Sequence, residues 1–440
     1  MNQDMTRDNV SKALLRFTLP LIISGLLQQL YYIVDSIIVG NLLGENALAA
    51  VGVSAPITNV FIYIIIGLVS GYTILVSQYF GAKEYRKISS LSSTFFLFTI
   101  VAACIISIAG YAMKESLLVM LNTPGELLEP SSLYLSIVFI GIPAVILYNL
   151  CASMLRGIGD SKTPLYAILI STIINVLLDL AFIRIFSWGI KGVAVATVIA
   201  QIISGVYLFF HIHRQHPMLR LSLKRDYLDI ALFIESVKLG LPRVVQSSVA
   251  SVGSLLLQNI MNSFGVDVVT AITTAYKIDT LTILPIINIS TAISIFVGQN
   301  IGANNIDRAR EGLRKGIQII LAVSVVITSV FVLFGAVLMK LFGVSDEIAL
   351  LGQRFFTTMA VFYPVLGLEN AFVGFLQGNK DVAFTAASNM LCLVLRVFLS
   401  YALAARLGFD IIAVSEVTSW VLGAAIAYGR YKSNRWQKQQ

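Results

Sequence analysis

Pro20–Gly40 reads PLIISGLLQQLYYIVDSIIVG. It is long enough to cross a bilayer, because about 20 mainly apolar residues at 1.5 Å rise span the hydrocarbon core. It also carries a carboxylate, Asp35, and a polar stripe at Ser24, Gln28, Tyr31 and Asp35. These positions run i, i+4, i+7, i+11 and share one helix face. An ionised side chain at mid-membrane costs roughly 2.5–3.5 kcal/mol on insertion scales, so such residues mark ion or substrate paths by default. A structural hydrogen bond to a neighbouring helix is the plainer alternative.

The composition extends that reading to the whole chain. Of 440 residues, 57% are hydrophobic and only 12% charged, with a mean hydropathy of +0.84. Soluble domains carry about 25% charged residues, so this is a polytopic membrane protein with no room for an ordinary soluble domain. The net charge of +8 is spread over short loops between spans, which argues against nucleic acid as a partner. Cys104, Cys151 and Cys392 each fall inside an apolar block, so neither a disulfide framework nor a metal set is expected. The first apolar run is too long for a signal-peptide core and contains Asp35; it reads as a retained span.

Twelve helical spans are expected, near 14–40, 50–80, 90–113, 131–155, 164–187, 190–213, 234–263, 270–300, 314–341, 354–378, 382–406 and 411–430. An even number puts both termini on one side. Of the 31 Lys and Arg, 23 fall on the side of the termini and 6 on the other, with Lys277 and Arg396 inside spans. Positive charge stays cytoplasmic, so both termini are expected in the cytoplasm and the chain in the cytoplasmic (inner) membrane.

The halves repeat. Val76–Ala82 (VSQYFGA) matches Val297–Ala303 (VGQNIGA) at a shift of 221, which also maps LRGIGD (Leu155–Asp160) onto LQGNKD (Leu376–Asp381) and Pro143 onto Pro364. LRFTLP (Leu15–Pro20) meets VKLGLP (Val237–Pro242) at 222. Six spans per half is an even number, so the halves point the same way, as in parallel repeats built around a midplane cavity. The expected domains are residues 1–220, with a linker from about 211, and 221–440. That linker, His211–Glu235, is basic and holds all three histidines, as His211-x-His213-x-x-His216. No Cys or acidic ligand set stands near it in sequence, so a loop along anionic headgroups is the reading, with a short interfacial helix over 224–235.

A second intramembrane acid sits in STIINVLLDLAF, where Asn175 and Asp179 share a face four residues apart. With Asp35 they form a hard-oxygen set able to hold a small cation or share protons, and Thr197 in the sixth span adds a hydroxyl. The repeat provides a control: Asn175 maps onto Arg396, Asp179 onto Ser400, and Asp35 onto Leu256 or Leu257. The set is not duplicated, and its counterpart gains a fixed cation. The second half has polar residues of its own. Lys277, Asp279, Glu369, Arg396 and Glu416 read either as buried charge pairs or, for Glu369 above all, as a substrate-side or relay acid. No HExxH, GxSxG or nucleotide-binding motif is present, so an enzyme is not expected, and the energy for transport would come from an ion gradient.

Taken together, YYIVDSIIVGNLLGENALAAVG, VSQYFGA, LRGIGDSKTP, NVLLDLAF and VGQNIGA resemble the multidrug and toxic compound extrusion (MATE) family over essentially the whole chain, most of all its prokaryotic DinF-type branch. The resemblance implies export of amphipathic, cationic compounds in exchange for H+ or Na+, by alternating access and with no cofactor beyond the coupling ion. It further implies a first-half cation site of Asp35, Asn175, Asp179 and Thr197, with Tyr134 nearby and Pro20 as a helix-bending proline. The NorM-type branch carries acids in spans seven and ten. Span seven here, VVQSSVASVGSLLLQNIM, has none, and Glu369 is not obviously at the span-ten position. A flippase for a lipid-linked precursor is the nearest rival function and a membrane-embedded enzyme the more distant one. A monomer in contact with lipid is expected, since two halves in one chain need no dimer.

Overall fold

The computed structural model describes residues 4–222, 224 and 227–439, and among these every regular element is helical. The long helices are α1 (Val10–Leu43), α2 (Glu45–Gly81), α3 (Tyr85–Met120), α4 (Gly125–Gly157), α5 (Lys162–Leu180), α6 (Gly189–Gln215) and α7 (Ile230–Asn262). They continue with α8 (Val266–Gly302), α9 (Ile306–Lys340), α10 (Asp346–Ala360), α11 (Tyr363–Gly378), α12 (Val382–Leu407) and α13 (Asp410–Lys432). Eleven spans are single helices long and apolar enough to cross a membrane, and α10 with α11 forms a twelfth that is bent by 49°. The tenth span was expected to run unbroken over 354–378. Pro364, at the start of α11, offers no N–H to the preceding turn, and the chain breaks there.

Contacts divide the chain into two compact units, one of Leu19–Gly240 and the other of Asp4–Thr18 with the residues from Leu241 onward. The cuts follow Thr18 and Gly240, which stand 222 residues apart, the offset that aligns LRFTLP with VKLGLP. Each cut precedes a proline inside a helix, Pro20 in α1 and Pro242 in α7.

The backbone keeps the repeat more faithfully than the side chains do. Left-handed residues recur at Gly44 and Gly265, Lys83 and Asn304, Asn122 and Gly343, Gly159 and Lys380, and Ser187 and Gly408, every pair 221 apart. These are the turns between helices, so the chain reverses at the same places in both halves. In the first unit α4 packs against α2, α3 and α6; in the second α11 packs against α8, α9 and α13. Lipid tails are as apolar as leucine, so helices in a membrane associate through close packing rather than water exclusion. The repeated motifs supply that closeness. A Cβ on Gly157 would lie 2.7 Å from Val76 Cγ1, and one on Gly378 would lie 2.9 Å from Val297 Cβ. VSQYFGA and LRGIGD are thus the two sides of one helix crossing, built again from VGQNIGA and LQGNKD.

The ends of both units are tied by polar contacts. In the second, Met5 is fully buried; its N–H donates to Gln299 Oε1 (3.2 Å), and its carbonyl accepts from Asn300 Nδ2 (3.3 Å) and from Arg308 Nε and Nη2 (3.2 and 3.0 Å). In the first unit the linker is pinned to the start of α3. Ser89 Oγ donates to the Arg220 carbonyl (3.2 Å), Ser222 N–H to Ser93 Oγ (2.9 Å) and Asp229 N–H to Thr94 Oγ1 (2.8 Å). Asp229 Oδ1 then accepts the Leu232 N–H (3.1 Å), capping α7. Between 224 and 235 the Tyr227 N–H donates to the Lys224 carbonyl (2.9 Å) and α7 begins at Ile230; the expected interfacial helix over 224–235 falls partly outside the described residues. Arg225, counted in the charge balance, lies outside the described residues.

Candidate functional site

Asp35 on α1 and Asp179 on α5 come together in the first unit. Asp35 is 8% exposed, and Asn175 and Asp179 are fully buried. The two carboxyl groups are close enough to interact directly. Asp35 Oδ1, both Asp179 oxygens, and both amide atoms of Asn175 are buried with no hydrogen-bond partner. A buried polar atom without a partner costs about 1–3 kcal/mol, and native interiors hold few of them. Five on three side chains is an unusual concentration, and the four oxygens among them suit a small hard cation or a proton.

The local sequence explains how the two helices hold this spacing. One turn past Asp35, Val39 packs with Ile183 and Val193, with Leu42, Leu43 and Tyr134 around them. Ile183 lies in a π-helical turn, Ala181–Ile185, that follows α5; the Phe186 N–H reaches back five residues to the Ala181 carbonyl (3.1 Å). Such turns concentrate at functional sites, and here the wider turn lies just beyond Asp179. Nothing in NVLLDLAFIRI signals it, because π and α turns share an apolar pattern.

The remaining predicted residues divide. Thr197 Oγ1 accepts from Tyr31 OH at 3.3 Å, which joins α6 to α1 one turn before Asp35. Tyr31 belonged to the polar stripe and is the residue that connects Thr197 to the site. Tyr134 on α4 is near enough to both carboxyl groups to feel their charge. Pro20 lies inside α1, and its carbonyl accepts from the Ser24 hydroxyl at 2.7 Å, so Ser24 is satisfied locally. Further along the stripe, Gln28 and Tyr31, together with the neighbouring Tyr32, line a small cavity of about 20 Å³ with Ser171, Gln201 and Ser204, room for about one water. Gln201 and Ser171 were not among the expected residues; polar side chains on α5 and α6 were read only where they carried charge or matched a motif.

In the second unit the acids are arranged differently. Asp279 Oδ1 accepts from Tyr363 OH and from Thr282 Oγ1. Arg396 Nη2 meets Glu416 Oε2 at 2.8 Å, and Tyr276 OH donates to the same oxygen at 3.0 Å. These groups have protein partners, unlike the orphaned set of the first unit. Lys277 departs from the expected buried pairs: it is exposed and forms no ion pair among the described residues. Glu369 is 9% exposed, packs against Gly423, and lines a cavity of about 210 Å³ with Arg396, Asn370, Asn389 and Trp420.

Twelve apolar spans in two units of matching topology, one holding an unpartnered acid set within its spans, define a polytopic membrane transporter. The MatE family model matches residues 20–181 and 242–402, so the chain belongs to the MatE family, whose members are transporters rather than enzymes. It is 30% identical over 437 residues to the probable multidrug resistance protein YpnP of Bacillus subtilis, covering 99% of this chain and 97% of the relative. The multidrug export protein MepA of Staphylococcus haemolyticus is 24% identical over 84% of this chain and 82% of its own length. Among solved structures, an outward-facing multidrug resistance MATE family transporter of the MOP superfamily superposes with a TM-score of 0.90 at 21% identity, covering 99% of both chains; at that identity the likeness is one of fold.

Proposed function

We propose that the chain is a multidrug exporter of the cytoplasmic membrane, with both termini in the cytoplasm, which exchanges amphipathic, cationic compounds for H+ or Na+. Asp35 and Asp179 accept the coupling ion, Asn175 and Thr197 complete its surroundings, and Pro20 lets α1 bend as access alternates. The observation that carries this reading is the set of five partnerless polar atoms on Asp35, Asn175 and Asp179. A ligand shifts a conformational equilibrium only by its differential affinity for the two states, so the ion must bind more tightly where the drug is released. With one net charge moved per cycle, the membrane potential contributes about 2.3 kcal/mol per 100 mV. A pyrophosphate-carrying flippase would call for a basic cavity; the second-unit cavity sets Glu369 beside Arg396.

Purified protein in vesicles loaded with a fluorescent cation tests the function. An imposed H+ or Na+ gradient is expected to drive the dye against its own gradient, with one of the two ions sufficient alone. Transport indifferent to both gradients contradicts the exchange.

A further inference from the structure

The turn joining α4 to α5 holds Asp160, whose carboxylate caps the helix that follows. Oδ1 accepts the Lys162 and Thr163 N–H groups, each at 3.0 Å, and Oδ2 accepts the Thr163 hydroxyl at 2.6 Å. Its counterpart in the second half is Asp381, 221 residues on. There Arg430 closes over the carboxylate, with Nε on Oδ2 at 2.7 Å and Nη2 on Oδ1 at 3.2 Å. The position 221 residues before Arg430 holds Phe209, and two imidazoles approach instead. His216 Nε2 lies 3.9 Å from Asp160 Oδ2, too far for a hydrogen bond, and His211 Nε2 lies 3.5 Å from Thr163 Oγ1. The two rings stand 5.6 Å apart.

His216 is the telling member. It is 3% exposed, yet neither ring nitrogen has a hydrogen-bond partner. A neutral imidazole carries one donor and one acceptor, and burial without partners for either leaves both unsatisfied. One ligand atom from each of Asp160, His211 and His216 lies within 4.8 Å of the others. Two imidazole nitrogens and one carboxylate oxygen are the donors that borderline metal ions such as Zn2+ select.

We propose that Asp160, His211 and His216 bind a divalent transition-metal ion of the Zn2+ class, which occupies the place that Arg430 takes beside Asp381. Ligands stand about 2.0–2.2 Å from a tetrahedral Zn2+, so the side chains draw inward from their present spacing, and water takes the fourth position. Thr163 holds the carboxylate from behind, as outer-shell donors do at metal sites. A cleft of about 390 Å³ lined by Tyr207, Phe210, His211, Arg214 and Gln215 gives the ion a way in. His213 is no part of the set: it is exposed and stacks on Phe209 with ring centroids 5.6 Å apart. When bound, the ion ties the α4–α5 turn to the end of α6 and fixes where the linker starts. Asp160 comes from a different helix turn, so the histidine spacing gives no sign of the third ligand.

The test uses the full chain, purified in detergent without a polyhistidine tag, stripped with a chelator, and titrated with Zn2+ against a chromophoric competitor. Wild type is expected to bind one Zn2+ per chain, and Co2+ in its place to give the visible absorption of a tetrahedral site. His211→Gln or His216→Gln should lower the affinity more than about 100-fold, Thr163→Val about 10-fold, and His213→Gln not at all. Size-exclusion of each metal-free variant verifies that it is folded. Absence of saturable, equimolar binding by wild type overturns the proposal, whatever the variants do. So does unchanged affinity in a folded His211→Gln/His216→Gln double variant.

Discussion

Asp35→Asn, and separately Asp179→Asn, should reduce drug export to the level of membranes lacking the transporter, with the protein present at wild-type amount. The substitution keeps size and shape, removes the negative charge and turns one acceptor oxygen into an N–H donor. Because Asp35 Oδ1 and both Asp179 oxygens have no protein partner, little native bonding is lost, and stability should change by no more than about 1 kcal/mol. Coupling loses everything, since an uncharged amide in place of one acid removes the charge that a cation must balance. Efflux of a fluorescent cation from intact cells, normalised to immunodetected protein, is the measurement. Wild-type efflux from either variant removes that residue from the coupling path.

Breaking the Arg396–Glu416 pair should have the opposite signature, large in stability. Arg396 and Glu416 side chains are 18% and 9% exposed, with Nη2 and Oε2 2.8 Å apart, and Tyr276 OH shares the carboxylate. Removing one member of a buried pair leaves the other charged and unmatched, at about 3–5 kcal/mol. For a chain of this size that lowers the apparent Tm by roughly 3–5 °C. Glu416→Gln and Arg396→Met are each expected to do so in detergent. The double variant should fall well short of the sum, because it leaves no orphan charge. Strictly additive losses would show that the two side chains act separately.

How far the sequence could be read depended on whether a feature lay within one helix or between helices. The stripe through Asp35 and the i, i+4 pair of Asn175 and Asp179 are properties of single helices, and Ser24, Tyr31, Asp35, Asn175 and Asp179 are buried. The repeat was equally visible, since Val76 with Gly157 and Val297 with Gly378 are the contacts that demand matching small and branched residues. Pro143 and Pro364 show the limit. They occupy equivalent positions, yet Pro143 lies inside the continuous α4 while Pro364 begins α11 after a break. Proline removes the same hydrogen bond in both, so the sequence does not separate them; beside the break, Tyr363 donates its hydroxyl to Asp279 on α8, a contact that no spacing within α11 reveals. The linker's ties were hidden for a related reason: three hydroxyls on α3, Ser89, Ser93 and Thr94, take up its backbone groups, and these contacts join segments more than a hundred residues apart. Lys277 lies within α8, as its apolar neighbours suggested, but its side chain is exposed rather than buried in a pair.

Counting the coupling ions held by the purified chain tests the central claim most directly, with a pH-stat for H+ and retained radioactive sodium for Na+. Wild type should hold at least one ion of one kind per chain, and the Asp35→Asn/Asp179→Asn double variant should hold none while remaining monodisperse. Equal ion binding by the two proteins would place the coupling site elsewhere and contradict the account.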